Sequence, residues 1–112
     1  MIDINYIRLN RLIALIILII SFVVYFDTMA PTVSYWDCGE FIAVSHTLGV
    51  PHPPGSPFFL LLGRMFSMIP FNEDIAFRVN IISPIVSALA VMLLYLSTVK
   101  VVTHWRGKVK NI

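Results

Sequence analysis

Charge is what this sequence has little of. Only 12% of its 112 residues are Asp, Glu, Lys or Arg, against 58% hydrophobic. A soluble domain of this size cannot hide so much apolar surface, because small domains bury a limited share of their area. The bilayer must therefore act as part of the solvent. A net charge of +2 is too small to suggest a nucleic-acid partner. Cysteine is nearly absent as well. With Cys38 alone, no disulfide can close within the chain, and cysteine usage says nothing of the compartment. The three His and Cys38 are scattered without metal-ligand spacing, so no metal site and no cofactor is indicated. There is no internal repeat and no low-complexity segment.

What the chain does have is long apolar runs. The first is Leu12 to Phe26, preceded by Arg8 and Arg11. Extended to Ala30, it would rise about 28 Å as a helix, close to a hydrocarbon core. A signal peptide competes, since a basic segment precedes the apolar one. The run is long for that, and Met29-Ala30-Pro31 makes a poor cleavage site, so an uncleaved span over 12–30 is expected. The last run, Val79 to Val99, carries no charge and would rise about 31 Å. Asn72 is its expected N-cap, with Glu73 and Asp74 in the first turn. Pro84 near its start is tolerable, and the span is expected over 72–102. Lys100, His104, Trp105, Arg106, Lys108 and Lys110 follow as an interfacial belt.

The middle run, Pro57 to Ile69, is too short to cross and carries Arg64 at its centre. That arginine at the bilayer midplane would cost ~2.5–3.5 kcal/mol. Ser56 as cap, Pro57 at the first position and Pro70 as stop define a short helix over 57–69, interfacial or re-entrant, with Arg64 snorkelling or paired. The fold class is thus all-α: two transmembrane helices joined by an outer loop, 31–71, with two short interfacial helices. Basic residues flank both outer ends of the pair, so 1–11 and 103–112 are expected in the cytoplasm and the loop in the periplasm or an equivalent lumen.

The outer loop holds the candidate chemistry. Asp37 can cap a helix over 38–48 with Glu40 at its third position. Phe41, Val44 and Leu48 would form its apolar stripe against the membrane, and Gly49 would end it. The proline cluster that follows stiffens the turn and fixes His52 beside the next helix. Two carboxylates on a rigid loop beside a membrane suit an enzyme that activates a hydroxyl, while ordinary capping explains the same pair. His52 can equally be a hydrogen-bonded turn residue, Tyr35 and Trp36 interfacial anchors, and Cys38 a small packing residue. Arg78 beside Asn80 could hold a phosphate or mark the interface.

The segment Trp36-Asp37-Cys38-Gly39-Glu40-Phe41, then Leu48-Gly49-Val50-Pro51-His52-Pro53-Pro54-Gly55-Ser56-Pro57, then Arg78-Val79-Asn80, resembles the signature of a protein O-mannosyltransferase-like family of polytopic membrane glycosyltransferases of the GT-C superfamily. The resemblance covers residues 31 to 100. It implies transfer of a sugar from a polyprenyl-phosphate carrier to a protein hydroxyl outside the cytoplasm. It puts the catalytic role on Asp37 with Glu40 as neighbour, and substrate contacts on His52, Arg64, Arg78 and Asn80. Members are much longer, so the chain reads as an amino-terminal fragment that needs the remaining helices of the full-length protein and is inactive alone. A bacterial inner membrane is the expected location. The rival is a non-catalytic two-span subunit whose outer loop binds a larger partner.

Overall fold

A computed structural model describes the backbone of residues 4–109 and the side chains of 6–107. Lys110 of the basic belt lies outside the described residues. Five helices run α1 (Ile4–Thr28), α2 (Cys38–Thr47), α3 (Pro57–Met68), α4 (Ile75–Asn80) and α5 (Ile82–Val109), and the described residues include no strand. Two stretches are long and apolar enough to cross a membrane, Tyr6–Thr28 and Ile75–Gly107. The chain divides into two compact units, one of residues 1–25 with 85–112 and one of residues 26–84.

In the first unit, the helices outrun the apolar segments read as spans. Helix α1 begins at Ile4 and α5 continues to Val109. The apolar run reports the length that lipid must accept, whereas a helix continues through polar residues until something stops it. Nothing between Ile4 and Leu12 is a breaker. Most side chains of α1 are exposed, including Leu12, Ile16, Ile19, Ile20 and Val23, as lipid-facing positions must be. Ala14 and Ala88 are buried, and the Tyr95 hydroxyl donates to Asn10 Oδ1 at 2.8 Å. Interhelical hydrogen bonds of that kind join membrane helices where apolar contact with lipid offers no preference.

The second unit holds α2, α3 and α4, each packed on the other two. Ile42, Ala76, Val79 and Ile82 form its core, with Phe59, Leu62, Phe66 and Ile75 against them. The face α2 buries is Ile42 and Ser45. The expected stripe of Phe41, Val44 and Leu48 lies to the side, half-buried except for exposed Leu48. Helix α2 ends with Leu48 left-handed at φ 55°, one residue before the glycine expected there. The Gly49 N–H bonds the Val44 carbonyl at 3.1 Å.

Helix α3 starts with Pro57 at its first position, and Ser56 precedes it without a side-chain cap. It stops where Ile69 turns extended before Pro70. Its 12 residues rise about 18 Å, too little to cross. Leu60, Gly63 and Ser67 are buried, while Phe58, Leu61, Met65 and Met68 line the opposite, exposed side. Arg64 sits on the flank, and its guanidinium donates to the His46 carbonyl at the end of α2. It is thus paired rather than snorkelling, and it complements the negative end of that helix. The outer face of α3 is left free of charge.

The entry to α4 is also corrected. Asp74, not Asn72, is the N-cap, its Oδ1 accepting the Ala76 N–H at 2.7 Å. Asn72 instead accepts from the Asp74 N–H at 2.8 Å, so Glu73 precedes the helix. The α4–α5 break at Ile81 follows from Pro84. A proline there has no N–H for the Asn80 carbonyl, and its ring crowds that carbonyl.

Among the glycines, Gly63 is the most closely packed. A Cβ built there would lie 2.5 Å from Ser45 Oγ and 2.7 Å from Ser45 Cβ. Helices α2 and α3 cross at a distance only glycine permits, and Ser45 is fully buried. Gly63→Ala should therefore cost about 1–3 kcal/mol through overpacking, seen as a lowered thermal midpoint of detergent-solubilised protein. Adding Ser45→Gly should restore part of the loss.

Candidate functional site

Asp37 occupies the N-cap position of α2, yet its side chain accepts no hydrogen bond from the helix. Glu40 does not reach back to form a capping box. Both carboxylates turn to His52, so the capping explanation fails at each. Glu40 Oε1 accepts the His52 backbone N–H at 2.8 Å, and Glu40 Oε2 lies 2.7 Å from the ring Nδ1. Asp37 Oδ2 stands 3.8 Å from His52 Nε2. One imidazole thus lies between two carboxylates, with both oxygens of Glu40 engaged by a single residue.

The local sequence explains the posture. Pro51 is buried. The Gly55 N–H closes a turn on the His52 carbonyl at 3.1 Å, and Gly55 takes φ 84°, a conformation glycine adopts without penalty. Phe41 stacks edge-on against the His52 ring, centroids 5.8 Å apart, and against Phe59 at 6.0 Å. The ring of His52 is therefore fixed on one side by an aromatic wall and at its nitrogens by acid groups.

The electrostatics follow from these contacts. The hydrogen bond to Glu40, then its charge, raises the His52 pKa above the ordinary histidine value of 6.5. The bonds from the His52 ring and backbone lower the Glu40 pKa below 4.5. Both shifts favour an ion pair. Asp74 is likewise held low, chiefly by a hydrogen bond from Thr32 and then by the Ala76 N–H.

Asp37 also lines a cavity of about 550 Å³, with Trp36, Cys38, Phe41, Phe59, Ser56, Asn80 and Ser83 among its walls. Cys38 is exposed rather than packed. Asn80 belongs to this cavity, and its amide donates to the Ala30 and Thr32 carbonyls at 3.0 Å each, tying down the segment after α1. The arginines do not line it. Arg78 donates to the Asn72 and Ser67 carbonyls, and Arg64 to His46 as described. Of the six candidate residues, Asp37, Glu40 and His52 form one cluster, Asn80 shares the cavity with Asp37, and Arg64 and Arg78 brace backbone. Phe59 and Ser83 went unseen in the sequence, where Ser56 reads only as a cap, because no spacing rule links the start of α3 to α5.

One donor atom each from Asp37, Glu40 and His52 lie within 4.8 Å of one another, a spacing a divalent cation could bridge. In the geometry present, Glu40 is hydrogen-bonded to His52, while Asp37 stands 3.8 Å from the ring. The chemistry on offer is a carboxylate lining a cavity, next to an imidazole held by Glu40.

Residues 37–112 match the model of the protein O-mannosyl-transferase TMEM260 N-terminal domain. Among curated relatives, the protein O-mannosyl-transferase tmem260 of Dictyostelium discoideum is 40% identical over 88 residues, covering 76% of this chain and 11% of that protein. Protein O-mannosyl-transferase TMEM260 of Mus musculus is 43% identical over 60 residues, covering 53% and 8%. The chain therefore spans about a tenth of their length. No solved structure matches. Both relatives are eukaryotic, so the expected bacterial inner membrane finds no support in them, and what stands is an integral membrane protein.

The ion pair gives a pH prediction. Glu40, with a lowered pKa, adds stability that is complete above about pH 4.5 and is lost as pH falls through its folded value. His52, with a raised pKa, adds stability that is complete below about pH 6.5 and is lost as pH rises through its folded value. Amide-exchange protection of residues 49–56 should thus peak between about pH 4.5 and 6.5 and decline on both sides. Glu40→Gln should flatten that profile.

Proposed function

The chain belongs to the family of the protein O-mannosyl-transferase TMEM260 N-terminal domain, and from that premise we propose that it is the part of a membrane glycosyltransferase that supplies the catalytic base. The transferred sugar is mannose, as the relatives' names suggest. Its donor is a polyprenyl-phosphate-linked sugar and its acceptor a protein hydroxyl. The hydroxyl oxygen attacks the anomeric carbon, its proton passes to the Asp37 carboxylate, and the bond to the carrier phosphate breaks with the electron pair leaving on the phosphate. The observation that carries this reading is the posture of Asp37, a carboxylate free of helix capping at the rim of a cavity.

Glu40 and His52 are positioning residues in this scheme. Their ion pair fixes the imidazole beside Asp37. Arg64 and Arg78 keep the scaffold in shape rather than touching substrate, and further phosphate contacts come from the rest of the longer protein. Asn80 orders the cavity wall. The loop faces the extracytoplasmic side, both termini face the cytoplasm, and the uncharged face of α3 rests on the bilayer.

In the full-length protein, Asp37→Asn keeps the shape of the side chain and removes its basicity. Transfer from polyprenyl-phosphate mannose should fall ~10²- to 10⁴-fold with folding retained. Near-normal transfer would exclude Asp37 as the base. For orientation, a version whose one cysteine is Cys38 should react with an impermeant thiol reagent from the extracytoplasmic side of sealed vesicles. Labelling from the cytoplasmic side alone would reverse the topology.

A further inference from the structure

Trp36 is the residue the scheme above leaves unused. It is 95% exposed, more than any other large apolar side chain described, and its backbone is left-handed at φ 62°. A bulky side chain rarely takes that conformation and does so with backbone strain. Trp36 is the residue before Asp37, and both line the same cavity. Interfacial anchoring explains exposure alone. It does not account for a left-handed backbone at the residue next to the base, on the lining of a cavity.

The cavity's chemistry names its occupant. Trp36, Phe41 and Phe59 bring aromatic rings to the lining and Ile42 and Val79 aliphatic groups, while Ser56 and Ser83 bring hydroxyls and Asn80 its amide oxygen. A hexopyranose has the matching division, a flat face of weakly positive C–H bonds and a rim of hydroxyls. The C–H face suits the negative face of an aromatic ring, and the rim suits the polar groups. An isoprenoid chain would satisfy the aromatic walls and leave the polar ones unused.

We propose that Trp36 is the sugar-stacking residue of this site, its indole holding the donor hexose with the anomeric carbon toward Asp37. This rests on the transfer reading above, and the experiment separates the two. In the full-length protein, Trp36→Leu keeps apolar bulk and any anchoring but loses the aromatic face. The KM for polyprenyl-phosphate mannose should rise about three- to tenfold, with Trp36→Phe returning it to within about twofold of the original. Inhibition by sugar-free polyprenyl phosphate should be the same in all three proteins. An unchanged KM in Trp36→Leu overturns the proposal while leaving the enzyme intact. Equal weakening of the sugar-free carrier also overturns it, by moving the contact to lipid or phosphate. If the unaltered protein transfers nothing from any lipid-linked hexose, the transfer reading fails and the stacking role with it. Should Trp36→Leu not fold, Trp36→Met serves for the same comparison.

Discussion

The clasp between Glu40 and His52 is the contact on which the candidate site depends. The two residues are 12 apart in sequence, on opposite sides of the left-handed Leu48 and the turn that follows. A carboxylate has two oxygens, and here one takes the backbone N–H and the other the ring of the same residue. Such a double, charge-assisted contact fixes distance and orientation together. It fastens the start of α2 to the proline turn and so sets where α3 begins. It also turns the imidazole so that its second nitrogen faces Asp37. Without it, Asp37 would be free to cap its own helix, as its position in sequence invites.

Behind the clasp stands a scaffold that is tightly packed at one point. Gly63 brings α3 against Ser45 of α2, and Arg64, one residue on, binds the last turn of α2 through the His46 carbonyl. Close backbone approach and charge complementarity thus act on neighbouring residues. At α4, Arg78 reaches the Asn72 and Ser67 carbonyls, and Asp74 accepts the Ala76 N–H. The charged side chains that a membrane-embedded sequence can carry are few, and in this unit Arg64, Asp74 and Arg78 hold backbone in place. The exceptions with chemistry to spare are Asp37 and the pair beside it.

The helices were legible because hydrophobic length and proline position are local signals. Pro57, Pro70 and the charge-free run from Val79 each mark a helix without knowledge of its neighbours. The capping residues were less legible. Asn72, Asp74, Asp37 and Glu40 all have the right chemistry for a cap, and which one caps depends on what else each can bind. Asp37 and Glu40 find an imidazole, so Asp74 alone among these four accepts from a helix N–H at a cap. The break at Ile81 was not foreseen: one span over 72–102 treats Pro84 as tolerable, and the proline's effect falls on a carbonyl four residues back. The inward turn of Arg64, the crossing at Gly63 and the cavity shared by Trp36, Ser56 and Ser83 involve different elements. No periodicity along the chain could disclose them. The family resemblance singled out Asp37, Glu40 and His52 without saying that they touch.

The central claim is that Glu40 and His52 act as one positioning unit for Asp37. A double-mutant cycle on transfer rate in the full-length protein tests it directly, using Glu40→Gln, His52→Ala and both together. If the two form one unit, each single change should lower the rate substantially and the double change should be little worse than either. Losses that simply multiply would show that Glu40 and His52 act independently, and would contradict the account.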